Sequence, residues 1–156
     1  MTNNYFDIKR ELLDTALKRT EDRISMIVSA LETARDSSTD DTKSSAGDKY
    51  ETSREMIQQD INRYQKQLLE ANKDLQQLLH IEAALNSDTD VARVGTLVQT
   101  NVGLYFIATS IGAVKIGDSN IFIISPLAPI GQLLIGKKIG DSFVFNNIDQ
   151  KVSAIY

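Results

Sequence analysis

The stretch Asp36–Asp48, DSSTDDTKSSAGD, lies between two long segments in which apolar residues recur at alternating intervals of four and three. Most of its residues are Ser, Thr and Asp, which favour helix caps and turns. We therefore interpret it as the tip of a helical hairpin. The aspartates of this tip surround a single lysine, Lys43.

Each flanking segment carries one narrow apolar seam. The first seam consists of Leu13, Leu17, Thr20, Ile24, Ile27, Leu31 and Ala34. The second consists of Ile57, Ile61, Tyr64, Leu68, Ala71, Leu75 and Leu78. A seam this narrow is satisfied by one partner helix, and the short connection favours an antiparallel αα-hairpin. We expect one helix from about Asp7 to Arg35 and another from Ser45–Asp48 to about Leu85.

The end of the second helix is apolar over more than its seam, at Leu78, Leu79, Ile81 and Leu85. These side chains need a second packing partner, and we expect the C-terminal part of the chain to provide it. His80 is the only histidine and lies in the same zone. We assign it no role.

The periodicity changes after the linker-like residues 86–90, NSDTD. Alternating, β-branched or aromatic segments then predict strands at Val94–Thr100, Leu104–Thr109, Ala113–Ile116, Ile121–Ser125, Ser142–Phe145 and Val152–Ile155. Turns are expected at Thr100–Gly103, Gly117–Asp118 and Asn146–Asn147, and one short helix between Pro129 and Gly136. The predicted fold class is α+β, with a coiled-coil hairpin over residues 1–88 and a small antiparallel β domain over residues 89–156.

Composition restricts the function classes. The first 88 residues hold 12 of the 17 basic and 17 of the 21 acidic side chains, so the excess negative charge lies in the helical half. With a net charge of -4, the chain has no general attraction for nucleic acid, and contact with RNA or DNA would be local or through a partner.

The absence of cysteine excludes disulfides and thiolate metal sites and fits a reducing compartment. The start of the chain lacks the apolar core of a signal peptide, and we find no apolar run of about 18 residues. We expect a cytoplasmic protein with no membrane partner.

A polar-tipped helical hairpin followed by a small β-rich domain resembles the Gre family of bacterial transcription elongation factors, whose C-terminal domain is FKBP-like. The best match is Ile124–Asp141, ISPLAPIGQLLIGKKIGD, which resembles the family pattern I-S-x-x-S-P-[IL]-G-x-A-L-L-G-K-x-x-G-D without a gap. Gly95 and Tyr105–Ile107 fit the first hairpin of that domain. Ser53–Glu55, after Tyr50, fits the start of the second helix.

The resemblance implies a mechanism. Gre factors insert the hairpin into the secondary channel of RNA polymerase, and the C-terminal domain holds the channel rim. Acidic tip residues help to position a catalytic Mg²⁺ of the polymerase, which then cleaves the 3′ end of a backtracked transcript. The implied partners are bacterial RNA polymerase and, through it, RNA and DNA. The chain would have no cofactor or enzyme activity of its own.

The tip departs from the family pattern. Aligned on Tyr50, the two functional acids of the family fall on Lys43 and Ala46, and neither is a carboxylate. The neighbouring acids nominated to assist the metal are Asp40, Asp41 and Asp48, although solvated turn and cap residues are an equally open interpretation. The nominated polymerase-binding residues are Ser125, Pro129 and Ile130, with Ala128 in place of the family serine.

Gly131–Lys138, GQLLIGKK, fits the pattern of a nucleotide-binding loop, G-x-x-x-x-G-K. The Ser or Thr that would hold Mg²⁺ is replaced by Lys138, and the run falls in a predicted helix. We therefore interpret Lys137 and Lys138 as a surface pair at a helix end.

Three functional hypotheses remain open. The first is a cleavage-stimulating factor of the Gre type, and the second is a Gre-like regulator that occupies the channel without promoting cleavage. The third is an FKBP-like prolyl isomerase or a coiled-coil adaptor. The isomerase ranks last because the C-terminal part has few aromatic residues, several of which its own core requires.

Overall fold

The computed structural model describes residues 4–41 and 47–156, and it describes their side chains except within residues 39–51. Helix α1 spans Tyr5–Asp41 and helix α2 spans Gly47–Ala83. The chain is α+β, with this helical hairpin followed by a six-stranded sheet and a short helix.

Helix α1 begins earlier and ends later in the structure than the sequence predicted. The helix begins at Tyr5 rather than Asp7 because the side-chain oxygen of Asn4 accepts a hydrogen bond from the Phe6 backbone N–H at 3.1 Å, which caps the first turn. It continues past Arg35 to Asp41 because residues 36–41 contain no glycine or proline to stop it. Within the predicted tip, residues 42–46 lie outside the described residues.

Packing between α1 and α2 follows the two predicted seams. Every seam position is buried or half-buried, which confirms the predicted pairing. The central cluster joins four buried side chains, Ile27, Leu31, Ile61 and Ala71. At the edge of this cluster, Arg23 Nη2 lies 3.2 Å from Asp74 Oδ2 and links the two helices.

Six strands form one sheet: β1 (Leu97–Thr100), β2 (Leu104–Ile107), β3 (Gly112–Ile116), β4 (Ser119–Ile124), β5 (Ser142–Phe145) and β6 (Ile148–Ile155). Their order in the sheet is β3-β4-β2-β1-β6-β5. All neighbours are antiparallel except β2 and β4, which are parallel. The parallel pair arises because the chain leaves β2, forms the edge strand β3, and returns through β4 between them.

Each predicted strand segment overlaps one of the six strands, although β3, β4 and β6 begin earlier than predicted, at Gly112, Ser119 and Ile148. The three predicted turns connect β1 to β2, β3 to β4 and β5 to β6. The turn between β5 and β6 shows why its position could be predicted from the sequence. Asn146 and Asn147 both have positive φ, 51° and 63°. Asparagine tolerates this conformation better than most residues, and two such residues form the tight turn that suits a hairpin.

The two faces of the sheet form two cores. Leu97, Phe106, Ile121 and Ile123 pack with Leu12, Leu13, Ala16, Leu78, Ile81 and Leu85 of the helical segment. On the opposite face, Val98, Tyr105, Ile107, Phe143 and Val152 pack with Ile130 and Leu134 of helix α3 (Pro129–Leu134). The expected partner for the wide apolar end of α2 is therefore the sheet, although Leu79 is 44% exposed.

Contacts divide the chain into two compact units. One is Thr20–Leu75, the middle of the hairpin, and the other combines Met1–Arg19 with Gln76–Tyr156. The sheet thus shares its unit with the beginning of α1 and the end of α2. The boundary between residues 88 and 89 expected from the change of periodicity stays a prediction.

Candidate functional site

The candidate tip acids stand at the two helix ends that face the undescribed connection. Asp40 and Asp41 are the last residues of α1, and Asp48 is the second residue of α2. Their side chains fall outside the described residues. Asp36, by contrast, is an exposed residue within α1. The nomination of Asp40, Asp41 and Asp48 as assistants of a metal therefore remains a prediction from the sequence.

The second candidate region is the turn that leads from β4 into α3. The Ser125 hydroxyl oxygen accepts a hydrogen bond from the Leu127 backbone N–H at 3.1 Å. The Ser125 carbonyl accepts one from the Ala128 N–H, also at 3.1 Å. The Gln132 side-chain amide donates to the Leu127 carbonyl at 2.9 Å. These three bonds hold the turn while the Leu127 side chain remains 79% exposed.

The three nominated polymerase-binding residues lie around this turn but differ in exposure. Ser125 is half-buried, Pro129 is exposed at the first residue of α3, and Ile130 is only 8% exposed. The Ile130 side chain packs in the core between α3 and the sheet. Surface contact in this region is therefore available to Leu127 and Pro129, and Leu127 is a surface residue that sequence reasoning did not nominate.

Gly131 explains how α3 is positioned. A Cβ at residue 131 would lie 2.1 Å from the Ser125 carbonyl oxygen. The helix therefore packs directly on the backbone of the preceding turn, which only glycine allows at this position. The sequence pattern contained this glycine, but the contact that requires it joins two parts of the chain and is visible only in the structure.

The run GQLLIGKK begins inside α3 and ends beyond it, with Lys137 half-buried and Lys138 exposed. α3 ends at Leu134, and Gly136 follows with φ of 86°. The Gly136 N–H donates to the Ala92 carbonyl at 2.8 Å, and the Ala92 N–H donates to the Lys137 carbonyl at 2.8 Å. A nucleotide-binding loop instead lies between a strand and the start of a helix, so this geometry does not match one.

Aromatic side chains on the α3 face of the sheet differ in exposure. Tyr105 and Phe143 are each 7% exposed. Phe122 stacks against Tyr105, with 6.0 Å between ring centroids. The Tyr105 hydroxyl and the Thr100 hydroxyl both donate to the Gln150 side-chain oxygen, at 3.1 Å and 2.8 Å. Tyr105 and Phe143 therefore belong to the core of the domain, whereas Phe122 remains 42% exposed. The isomerase hypothesis stays a prediction.

A cleft of about 1010 Å³ lies between the start of α1, the residues after α2 and the end of β6. At its wall, the Lys9 ammonium is almost fully buried and donates to the Leu85 carbonyl at 3.1 Å. Burial, assisted by the charge of Arg93 and opposed by that of Asp88, lowers the pKa of Lys9. The bond satisfies a carbonyl just beyond the end of α2, so its evident role is structural. Nothing in the local sequence distinguishes Lys9 from the other charged residues of α1.

The same cleft brings together Tyr5 and Tyr156. Their rings stack with centroids 3.7 Å apart and planes inclined by 10°. Burial and a hydrogen bond with Tyr5 raise the pKa of the Tyr156 hydroxyl to about 12. This pair joins the beginning of α1 to the residue after β6.

Metal ligands do not cluster in the described part of the chain: it contains no group of three or more His, Cys, Asp or Glu side chains that could hold an ion. Likewise, none of its helices has the length and apolar character needed to cross a membrane.

No family model matches this chain, and no curated protein matches its sequence.

Proposed function

We propose that this protein is a Gre-type transcription elongation factor. It binds bacterial RNA polymerase, inserts its hairpin into the secondary channel, and modulates or stimulates cleavage of backtracked transcripts. The observation that supports the proposal is the combination, in one chain, of a polar-tipped hairpin and an α+β domain whose turn and short helix carry the Gre-like stretch Ile124–Asp141.

The fold gives that stretch a consistent physical role. Its glycine, Gly131, is required because a Cβ at this position would clash with the Ser125 carbonyl oxygen, and its Ile130 packs in the core. Leu127 and Pro129 are left on the surface. The proposed rim contact therefore uses this exposed turn, with Ser125 holding its backbone.

The tip chemistry would depend on Asp40, Asp41 and Asp48. Carboxylate oxygens are the donors that Mg²⁺ prefers, so these three side chains fit the role of completing an ion site on the polymerase. Bound there, Mg²⁺ would supply charge stabilisation for the attacking and leaving oxygens of the phosphodiester. The chain itself would contribute oxygen donors and their positioning by two helix ends. It would not be an enzyme on its own.

A second candidate is a channel-occupying regulator that does not promote cleavage. The observation that favours it is the identity of residues 43 and 46, Lys and Ala, at the positions where the family carries its acids. A lysine there would add positive charge where an ion must be held, and like charges repel. A binding or adaptor role for the hairpin and the FKBP-like domain is a further alternative.

The deciding experiment measures RNA cleavage in purified backtracked elongation complexes. The wild-type chain is compared with the triple variant Asp40→Ala, Asp41→Ala, Asp48→Ala, after binding of each to polymerase is measured directly. A control triple variant, Glu21→Ala, Glu32→Ala, Glu55→Ala, removes the same charge from exposed positions away from the tip. Cleavage stimulation is expected to fall about tenfold or more in the tip variant only, equivalent to a loss of about 1.4 kcal/mol or more of transition-state stabilisation.

Each other outcome has a distinct meaning. If all variants bind polymerase and the wild type does not shorten the RNA, the protein is the channel-occupying regulator. If tip and control variants lose activity equally, general charge rather than the tip is responsible. Failure of the wild type to bind polymerase contradicts the family proposal itself.

A further inference from the structure

The middle of α1 is too apolar for a helix that contacts one partner. Residues 24–31, ISMIVSAL, contain no charged side chain. α2 covers only the seam side of this run, at Ile24, Ile27 and Leu31. Met26, which lies on a side of α1 away from the seam, is left 73% exposed. A helix that is apolar beyond one face is usually covered on the additional face.

The exposed Met26 stands between two hollows of the hairpin surface. The first hollow, about 670 Å³, is lined by Ala30, Thr33, Ser37 and Asp60, among others. The second, about 490 Å³, is lined by Arg23, Gln67 and Glu70, among others. Met26, Ala30 and Tyr64 border both. We call this surface, Met26 with its two hollows, the Met26 face.

We propose that the Met26 face binds a second copy of this chain, with the two α1 helices antiparallel across a two-fold axis. In a two-fold interface the same surface is used twice, so it must offer both a protrusion and a cavity. The Met26 face offers both. With the axis at the level of residue 28, Met26 of each copy lies over Ala30 of the other. A large side chain then meets a small one at both symmetry-related positions.

Charges at the border of the Met26 face agree with the same arrangement. In this register Arg23 of one copy faces Thr33 of the other, and Thr33 lines the same hollow as Asp60. Arg23 and Asp60 of different copies are thereby brought together twice. Each already has a partner within its own chain, at 3.2 Å to Asp74 and 3.1 Å to Arg63. Association therefore leaves Arg23 and Asp60 paired and places these charges at the rim of an apolar centre.

The inference depends on the described residues of the hairpin and not on the proposed function. Because the Met26 face lies on the hairpin that the proposed function inserts into the polymerase channel, the dimer has to dissociate before the chain binds polymerase in that way. A foreign amphipathic helix is the alternative occupant of the Met26 face. That alternative predicts that the purified chain remains a monomer, so a measurement on the protein alone distinguishes the two.

The first test is sedimentation velocity of the full chain over a concentration series. The wild type is expected to pass from the 17.3 kDa monomer to a dimer as concentration rises. Met26→Glu should raise the dissociation constant about tenfold or more, since it introduces a charge into the apolar centre. Leu69→Glu is the matched control, because Leu69 is 57% exposed on α2 and lines neither hollow. Circular dichroism verifies that both variants are folded.

The proposal is overturned if the wild type is monomeric at all accessible concentrations, or if Met26→Glu and Leu69→Glu have equal effects. Charge reversal tests the rim. Asp60→Arg alone should weaken the dimer, and combining it with Arg23→Asp should restore part of the affinity. If the double variant is no tighter than Asp60→Arg, the antiparallel register is wrong.

Cross-linking tests the register directly. The chain has no cysteine, so single cysteines introduced on the Met26 face give an unambiguous signal. Across the proposed axis, two copies of residue 29 are separated by about 3 Å along α1, and two copies of residue 37 by about 27 Å. A bismaleimide with a span of about 10 Å should therefore link Ser29→Cys chains and not Ser37→Cys chains. Equal cross-linking of the two would contradict the proposed axis.

Discussion

At the scale of single residues, the structure explains positions that looked ordinary in the sequence. Gly131 is the clearest case. Its α-carbon faces the Ser125 carbonyl so closely that a Cβ would lie 2.1 Å from the oxygen, and 3.0 Å from Pro126 Cα. Both neighbours are backbone atoms, so neither can move by a rotamer change. The close approach fixes the position of α3 on the turn.

Gly131→Ala is therefore expected to destabilise the protein by about 1–3 kcal/mol or more, because the backbone must shift to admit the methyl group. The measurement is the free energy of unfolding from urea titration. Gly103→Ala is the control, since nothing lies within 4 Å of the Cβ it would add. Equal stability of the two variants would show that the turn adjusts without cost.

At the scale of elements, local signals predicted where helices and strands occur better than where they end. The strand at Ser142–Phe145 has the predicted bounds. Helix α1 has neither predicted bound, because Asn4 caps it early and residues 36–41 do not stop it. The residue types at 36–41 favour caps and turns, but the helical turns that precede them can extend the helix through such residues. Helix α3 has a further local weakness: Ala128 is its N-cap and makes no side-chain capping bond.

Ala128→Ser is expected to stabilise the protein by about 0.5–2 kcal/mol, because its hydroxyl can accept a hydrogen bond from an uncapped N–H of α3. Residue 128 already has the extended backbone that capping requires, with φ of -65° and ψ of 153°. The urea midpoint should rise for Ala128→Ser. It should remain unchanged for Ala84→Ser, an exposed alanine beyond the end of α2. A midpoint that does not rise for Ala128→Ser would mean that the turn does not admit the capping geometry.

At the scale of the whole molecule, contacts between distant parts of the sequence hold the sheet and the base of the hairpin in one unit. Lys9 donates to the Leu85 carbonyl at 3.1 Å, and Tyr5 stacks on Tyr156 at 3.7 Å. In both cases a residue near the beginning of α1 meets a residue far along the chain. The stacked tyrosines also make stability sensitive to alkaline pH.

The pKa of Tyr156 is about 12 in the folded protein, against an ordinary value of 10.0. The contribution of the Tyr156 hydroxyl to the free energy of unfolding is therefore fully present below about pH 10 and is lost as the pH rises to about 12. We expect the difference in unfolding free energy between wild type and Tyr156→Phe to be constant from about pH 8 to 10 and to shrink above that range. Urea titrations at each pH measure it.

The prediction compares wild type with Tyr156→Phe because Lys9 changes the unfolding free energy with pH in the opposite direction. Its folded pKa is lowered from 10.5, so the folded state binds fewer protons, and its effect on stability improves as the pH rises towards 10.5. Both chains contain Lys9, so its contribution cancels in the difference. A difference that does not change with pH would contradict the raised pKa of Tyr156.

Sequence periodicity by itself determined the two apolar seams, the presence of six strands and the short helix after Pro129. Periodicity carries this information because it records which face of each element is buried. The tip acids Asp40, Asp41 and Asp48 and the turn residues Ser125 and Pro129 also came from the sequence, through its resemblance to a family. Their proposed roles depend on a partner.

Only the tertiary structure decided the strand order, with its parallel β2–β4 pair, and the contacts of Gly131, Lys9 and Tyr156. It also showed that Met26 remains exposed while the seam beside it is covered. A local pattern reports whether a residue prefers burial. Which surface covers that residue depends on how segments far apart in the chain meet, and short-range spacing contains no record of that choice.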